Sequence, residues 1–480
     1  MKFLRTAALG AALSTLAWVL PASASTRSAF LSAKEAVLPS GALGLPQGYL
    51  PVLSCVSAGN CVAGGGYNNA SGNENGLILN EVKGRWTKPI TLKMPAGAAS
   101  ASGVMIYGLS CSTFGNCAAV GSYQDSAGDG QGFVANEVNK SWKRATEVTL
   151  PTNALSAGQN AVVRSVICSS ARSCSAVGSY FDNKSLPNNL GFDLSEINGT
   201  WNVAQEISVS SVTNANPFLT MSQIACASTG NCAGVGSYID ANGVNQGLLV
   251  DQVKGVWSPG VALSLPANAS AYADASLSEI ACAKGACTVF GTYLTNTGAL
   301  EALSANNVGG PWGRASEITM PAGAAVNPHV FLYGFLGISC ASAKNCAAGG
   351  QYRDASGLYQ GFLVNELNGT WKSAVEVSLP QGAQSTGANG GVVSLSCPRA
   401  GDCRAGAAYL DGSQNYQALT VTEVNGTWQR GAKTTLPGGA STVGIDGGIY
   451  ALVCSSVNAC TAIGSYLKNS TIYEGFTLSS

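Results

Sequence analysis

Ser110-Cys111, Cys117-Ala118-Ala119-Val120-Gly121-Ser122-Tyr123, Gln131-Gly132-Phe133, Asn136-Glu137-Val138, Trp142 and Leu150-Pro151 mark one unit, from Leu109 to Ala154, which most of the chain copies. The first cysteine of each copy stands at Cys55, Cys111, Cys168, Cys226, Cys282, Cys340, Cys397 and Cys454, at steps of 56 to 58 residues. A tyrosine follows at 67, 123, 180, 238, 293, 352, 409 and 466, and a tryptophan at 86, 142, 201, 257, 312, 371 and 428. A fixed period of this length, repeated eight times, is the signature of a repeat architecture.

Each unit divides into four short strands. In the quoted copy these are Val104 to Cys111, Cys117 to Tyr123, Gln131 to Val138 and Trp142 to Leu150. The third alternates apolar and polar residues in the strand manner. Asn198-Gly199, Asn368-Gly369 and Asn425-Gly426 join third to fourth strands, because that dipeptide accepts positive φ at both turn positions. The residue two before each first cysteine is apolar throughout (Leu53, Leu109, Val166, Ile224, Ile280, Ile338, Leu395, Leu452), which predicts an inter-unit core. The repeat tryptophans are expected to pack there as well.

Eight cysteine pairs face only seven repeat tryptophans, because the eighth unit stops at Gly475-Phe476-Thr477-Leu478-Ser479-Ser480. The missing strand is at the other end. Phe30 to Pro39 overlays Trp371 to Pro380, with Phe30 at the tryptophan place. A unit split between the two termini suits a closed ring, which leaves few open sheet edges. The expected fold is therefore all-β: a single eight-bladed β-propeller of four antiparallel strands per blade. Residues 25–480 form it, and an N-terminal strand at about 28–39 completes blade 8.

Residues 1–24 read as a secretory signal. Lys2 and Arg5 are followed by the apolar run Ala7 to Leu20 and by Ala22-Ser23-Ala24 at a cleavage site. The run is too short to span a bilayer, so the protein is expected to be secreted, extracellular or periplasmic, without a membrane span. That compartment is oxidising. The sixteen cysteines are accordingly expected as eight local disulfides: Cys55–Cys61, Cys111–Cys117, Cys168–Cys174, Cys226–Cys232, Cys282–Cys287, Cys340–Cys346, Cys397–Cys403 and Cys454–Cys460. The spacing is no zinc pattern, the lone histidine is His329, and neither metal nor cofactor is expected. Charged residues make up 10% of the chain with a formal net charge of zero, which gives no basic patch for nucleic acid. A monomer is expected.

The pattern Ser110-Cys111 … Cys117-Ala118-Ala119-Val120-Gly121 … Asn368-Gly369-Thr370-Trp371 resembles the Ser-Cys-x5-Cys-x-Ala-Val-Gly repeats of secreted bacterial propeller-like proteins. The resemblance covers the mature chain and implies architecture, with no catalytic residue to transfer.

Function is sought where the units differ. Loop aspartates (Asp125, Asp182, Asp240, Asp354, Asp411) and two glutamate columns recur in most units, which points to turns and strand pairing. The departures are Arg164, Gln223 and Glu279 on first strands, with Tyr107 and Tyr450 near them and Tyr272, Asp274, His329 and Asp446 in inter-blade loops. Arg164, Gln223, Glu279, Tyr107, Tyr450 and His329 are the candidate ligand residues. The expected role is a binding or interaction scaffold for a glycan or protein on the variable face near the axis. The alternative is a glycoside hydrolase or lyase on the same frame, with Glu279 and Asp274 as its carboxylates.

Overall fold

The computed structural model describes residues 32–43, 48–184, 187–209, 216–308, 310–332, 337–384, 390–441, 447–469 and 472–480. The signal segment, Phe30 and Asp446 lie outside them. Among the described residues, no helix is long and apolar enough to cross a membrane.

Eight antiparallel sheets form the protein. In blade 2 the strands, from the inside outward, are Met105–Thr113, Asn116–Gln124, Gly130–Val138 and an outer strand in two pieces, Ser141–Trp142 and Thr146–Glu147. The innermost strands of blades 1 to 8 begin at Tyr49, Met105, Val162, Thr220, Ser276, Ile338, Val392 and Gly448. Each packs on the next, and Gly448–Ser456 of blade 8 packs on Tyr49–Ser57 of blade 1, so the ring is closed. The cores lie between blades. One holds Val120 and Val134 of blade 2 with Val163, Val166, Tyr180 and Phe192 of blade 3. The expected apolar column lies in these cores, with Leu109 alone only partly buried. The tryptophans are half-buried at their margins, and Trp201, Trp312 and Trp428 donate Nε1–H to Asn136, Asp251 and Asn365 of the preceding blade.

The outer strand was expected to be continuous, and its break has a cause. Between its two pieces a buried alanine turns to the preceding blade. Ala145 N–H donates to Lys93 O, Ala204 to Thr149 O and Ala374 to Thr319 O. The N-terminal strand repeats this chemistry. Lys34 and Glu35 pair with Thr477 and Phe476 of blade 8, and Ala33 N–H donates to Thr435 O of blade 7.

All eight disulfides are formed as expected, each across the hairpin between first and second strands, and no described cysteine is free. The Asn-Gly turns sit against these hairpins. Asn368 and Gly369 have φ of 52° and 84°, and Gly369 N–H donates to Lys344 O. This face is therefore built from repeated parts.

Both glutamate columns are paired, the first buried and the second exposed at the outer strand. Glu137, Glu196, Glu366 and Glu423 are buried and accept from Asn80, Asn136, Asn306 and Asn365 of the preceding blade. Glu81 seals the ring by accepting from Thr461 and Ser479 of blade 8. The second column takes the buried tyrosines: Tyr123, Tyr293, Tyr352 and Tyr466 donate to Glu147, Glu317, Glu376 and Glu35. Each loop aspartate bonds its own loop. Asp354 Oδ1 accepts from the Ser356 and Leu358 backbones, and Oδ2 from the Gln360 side chain, as Asp125, Asp240 and Asp411 accept from Gln131, Gln246 and Gln417.

These environments give a pH dependence. Burial pushes Asp193 from 3.8 and Glu301 from 4.5 up to about 7, and raises Glu81, Glu137, Glu196 and Glu366 as well. Between the unfolded and folded values of these groups, the folded chain holds protons that the unfolded chain has released. Stability therefore falls as pH rises through that window. The loop aspartates act oppositely. The Gln131 hydrogen bond lowers Asp125. At Asp182, Asp240, Asp354 and Asp411 desolvation pushes up, and summed hydrogen bonds outweigh it. Their stabilisation is present above 3.8 and is lost as pH falls through their lowered values. Denaturant midpoints across pH should therefore peak at about pH 4. Asp193→Val, which installs the side chain of Val134 from blade 2, should add about 2 kcal/mol at pH 8 and flatten the alkaline limb. A midpoint that rises steadily to pH 8 would contradict the raised carboxyls of Asp193 and Glu301.

Candidate functional site

On every inner strand with a described register across this point, pairing slips by one residue beside the position four before the first cysteine. The shift falls between Ile106 and Gly108, Val163 and Ser165, Met221 and Gln223, Leu277 and Glu279, Val392 and Ser394, and Ile449 and Ala451. In blade 1 it falls between Tyr49 and Val52. The skipped residue is a β-bulge, which re-aims its side chain out of the ladder. The bulge column reads Pro51, Tyr107, Arg164, Ser222, Ser278, Val393 and Tyr450. Pro51, Tyr107, Arg164, Ser222 and Ser278 all line one axial cavity of about 600 Å³.

Arg164 is the only charged residue among the described residues lining this cavity, and it is exposed. Its Cζ lies over the Tyr107 ring, 4.9 Å from the centroid. A guanidinium resting on an aromatic face is held by the ring quadrupole. Tyr450 is on the bulge of blade 8, and Ser465 Oγ–H donates to its hydroxyl at 2.8 Å.

The residue after the bulge has a different task. Ser165 Oγ accepts from Ile224 N–H, Gln223 Oε1 from Ile280 N–H at 2.7 Å, and Ser394 Oγ from Leu452 N–H. These side chains bind one blade to the next. Gln223 borders the cavity but spends its carbonyl on blade 5. Glu279 occupies the same column, is 1% exposed and turns to blade 6. A Cβ at Gly337 would lie 2.5 Å from Glu279 Oε1, so any larger residue there would have to displace this carboxylate.

The expected grouping of Arg164, Gln223 and Glu279 at one opening is thus divided. Arg164 and Tyr107 face the axis, Gln223 lies between axis and junction, and Glu279 is within a junction. Asp274, its suggested carboxylate partner, is exposed on the preceding loop. His329 belongs to blade 6, at φ 43°, and stacks on Phe331 with centroids 4.9 Å apart. It does not line the cavity. Ser222 and Ser278 were missed. The signal was in the spacing: Arg164 stands four before Cys168, whereas Gln223 and Glu279 stand three before Cys226 and Cys282.

No family model and no curated protein matches the sequence. Among solved structures the chain is similar to a polysaccharide lyase of family PL25, an ulvan lyase, at 11% identity over 81% of this chain and 92% of that one, with a TM-score of 0.44. It is also similar to the six-bladed fungal lectin of Aleuria aurantia (11% identity, 70% and 97% covered, TM-score 0.31) and to Trypanosoma rangeli sialidase (9%, 82% and 55%, TM-score 0.34). Likeness this distant says nothing of what this chain binds.

Proposed function

We propose that the protein is a secreted binding propeller whose axial cavity takes a glycan. One observation carries the reading: the bulge residues of blades 1 to 5 place dissimilar side chains at a single cavity, which Val393 and Tyr450 do not line, while the disulfide face repeats the same parts. A volume of about 600 Å³ suits a few sugar rings rather than a protein surface. Ser222, Ser278 and Tyr107 supply hydroxyls at its wall, suited to a polyhydroxylated ligand. Glu279 is buried in a junction, which favours binding over two-carboxylate hydrolysis. The eight disulfides fit an oxidising extracellular setting.

A glycan array probed with the parent and with Ser222→Trp tests the reading. Neighbouring blades carry Tyr107 and Arg164 at the same column, so a large side chain is expected to leave the melting temperature unchanged. It should reduce binding at least tenfold, equivalent to about 1.4 kcal/mol. Lys83→Ala on the disulfide face should leave binding intact. The reverse pattern would move the site to that face.

A further inference from the structure

We infer that the group seated at Arg164 is an anion, the carboxylate of a uronic acid residue; this rests on the glycan reading above and narrows it. Among the described residues, no carboxylate pairs with the guanidinium. Arg144, Arg172, Arg353 and Arg399 each give an N–H to an acceptor in the protein, whereas Arg164, like the surface residues Arg85, Arg314 and Arg430, gives none to any described residue, and of these four it alone lines the cavity. Its one recorded contact is the Tyr107 ring, 4.9 Å from Cζ.

That contact fixes the cation without using its donors. The N–H groups of a guanidinium lie in its plane, so support from an aromatic face leaves the fork open. A planar carboxylate matches this fork with two parallel hydrogen bonds. No carboxylate lines the cavity to compete for it among the described residues. Ser222 and Ser278 occupy the same column on the next two blades and line the same cavity. The formal net charge of the chain is zero, so no general field would draw a polyanion. Preference for the anion comes from one residue and is removable with it.

A galacturonate trimer and its fully methyl-esterified form provide the test, since esterification removes the charge and keeps the sugar rings. Titration calorimetry should show the parent binding the free acid at least about tenfold more tightly than the ester, the difference one charged hydrogen-bonded contact makes. Arg164→Ala should bring the two forms to equal affinity, with an unchanged melting temperature. Arg164→Lys should restore part of the difference, having the charge and lacking the fork. Equal binding of both forms by the parent, with Ser222→Trp blocking both, overturns the anion assignment and leaves the glycan site standing. A preference for free acid that survives Arg164→Ala also overturns it. Dextran sulfate binding through Arg164, with no binding of the galacturonate trimer, replaces the carboxylate by a sulfate ester. If neither trimer binds and Ser222→Trp changes nothing on the array, the assignment and the glycan reading both fall.

Discussion

Removal of residues 1–39 should lower the melting temperature by roughly 10 °C, taking each kcal/mol as roughly 2 °C in a chain of this size. The size of the effect follows from what the clasp touches. Ala33 is buried in the core between blades 7 and 8, and Ala36 in the core between blades 8 and 1, with Leu38 packed beside it. One short strand therefore closes two inter-blade cores. Ala33 and Ala36 donate backbone hydrogen bonds to Thr435 and Gly475, and Tyr466 donates to Glu35. Lys468 adds an ion pair to Glu35 at 2.7 Å. Without the strand, the Tyr466 hydroxyl loses its acceptor, and Phe476 and Leu478, now at most 1% exposed, flank an open edge. Lost burial and lost hydrogen bonds together come to about 5 kcal/mol. Glu35→Gln keeps the strand and loses the ion pair, so it should cost only about 1 kcal/mol. An unchanged melting temperature after truncation would mean that the contact between the inner strands of blades 8 and 1 closes the ring unaided.

The clasp was legible because its residues are copies: Glu35 overlays Glu376, and in the structure each lies opposite a phenylalanine, Phe476 or Phe362. Repetition made the architecture readable at every level where chemistry is local, from cysteine hairpins to Asn-Gly turns. It failed where the answer depends on a neighbouring blade. Of the two glutamate columns expected to pair between strands, one does so within its blade, as Tyr123 with Glu147, but the other proved to rivet blade to blade, since Asn136 and Glu196 are 60 residues apart. The lining of the candidate cavity was half legible. Arg164 and Tyr107 stood out as departures from the pattern, but departures at adjacent columns looked alike. A bulge separates the two columns, sending one to the axis and the next to the adjoining blade. Bulges belong to strand register, and no residue type announces one here: proline, tyrosine, arginine, serine and valine all occupy the position.

Reduction of the eight disulfides should produce the largest loss of stability, and its pattern will show what the bonds contribute. Titration of the denatured, unreduced chain should first find essentially no free thiol. Each bond joins residues six apart, or five for Cys282–Cys287, and in the chain-entropy model a loop this short contributes about 2 kcal/mol. The bonds are local, so none ties one blade to another. Replacing the pairs one at a time should therefore give costs that add for blades on opposite sides of the ring. The second cysteine of each pair is also buried, as with Cys61 at 2% and Cys117 at 5% exposure, so its sulfur belongs to the packing as well. Reduction removes the cross-link and keeps the sulfur; Cys111→Ala with Cys117→Ala removes both. The double variant should fall below the reduced protein by about 1 kcal/mol, the worth of a small buried group. Loop entropy varies only with the logarithm of length, so the tighter blade 5 pair should cost the same as the blade 2 pair within a few tenths of a kcal/mol. A blade 5 pair worth nothing, or several times more, would show that native-state geometry outweighs chain entropy at these hairpins. An unfolding midpoint unmoved by full reduction would show that the blades hold their inner hairpins by packing and hydrogen bonding alone.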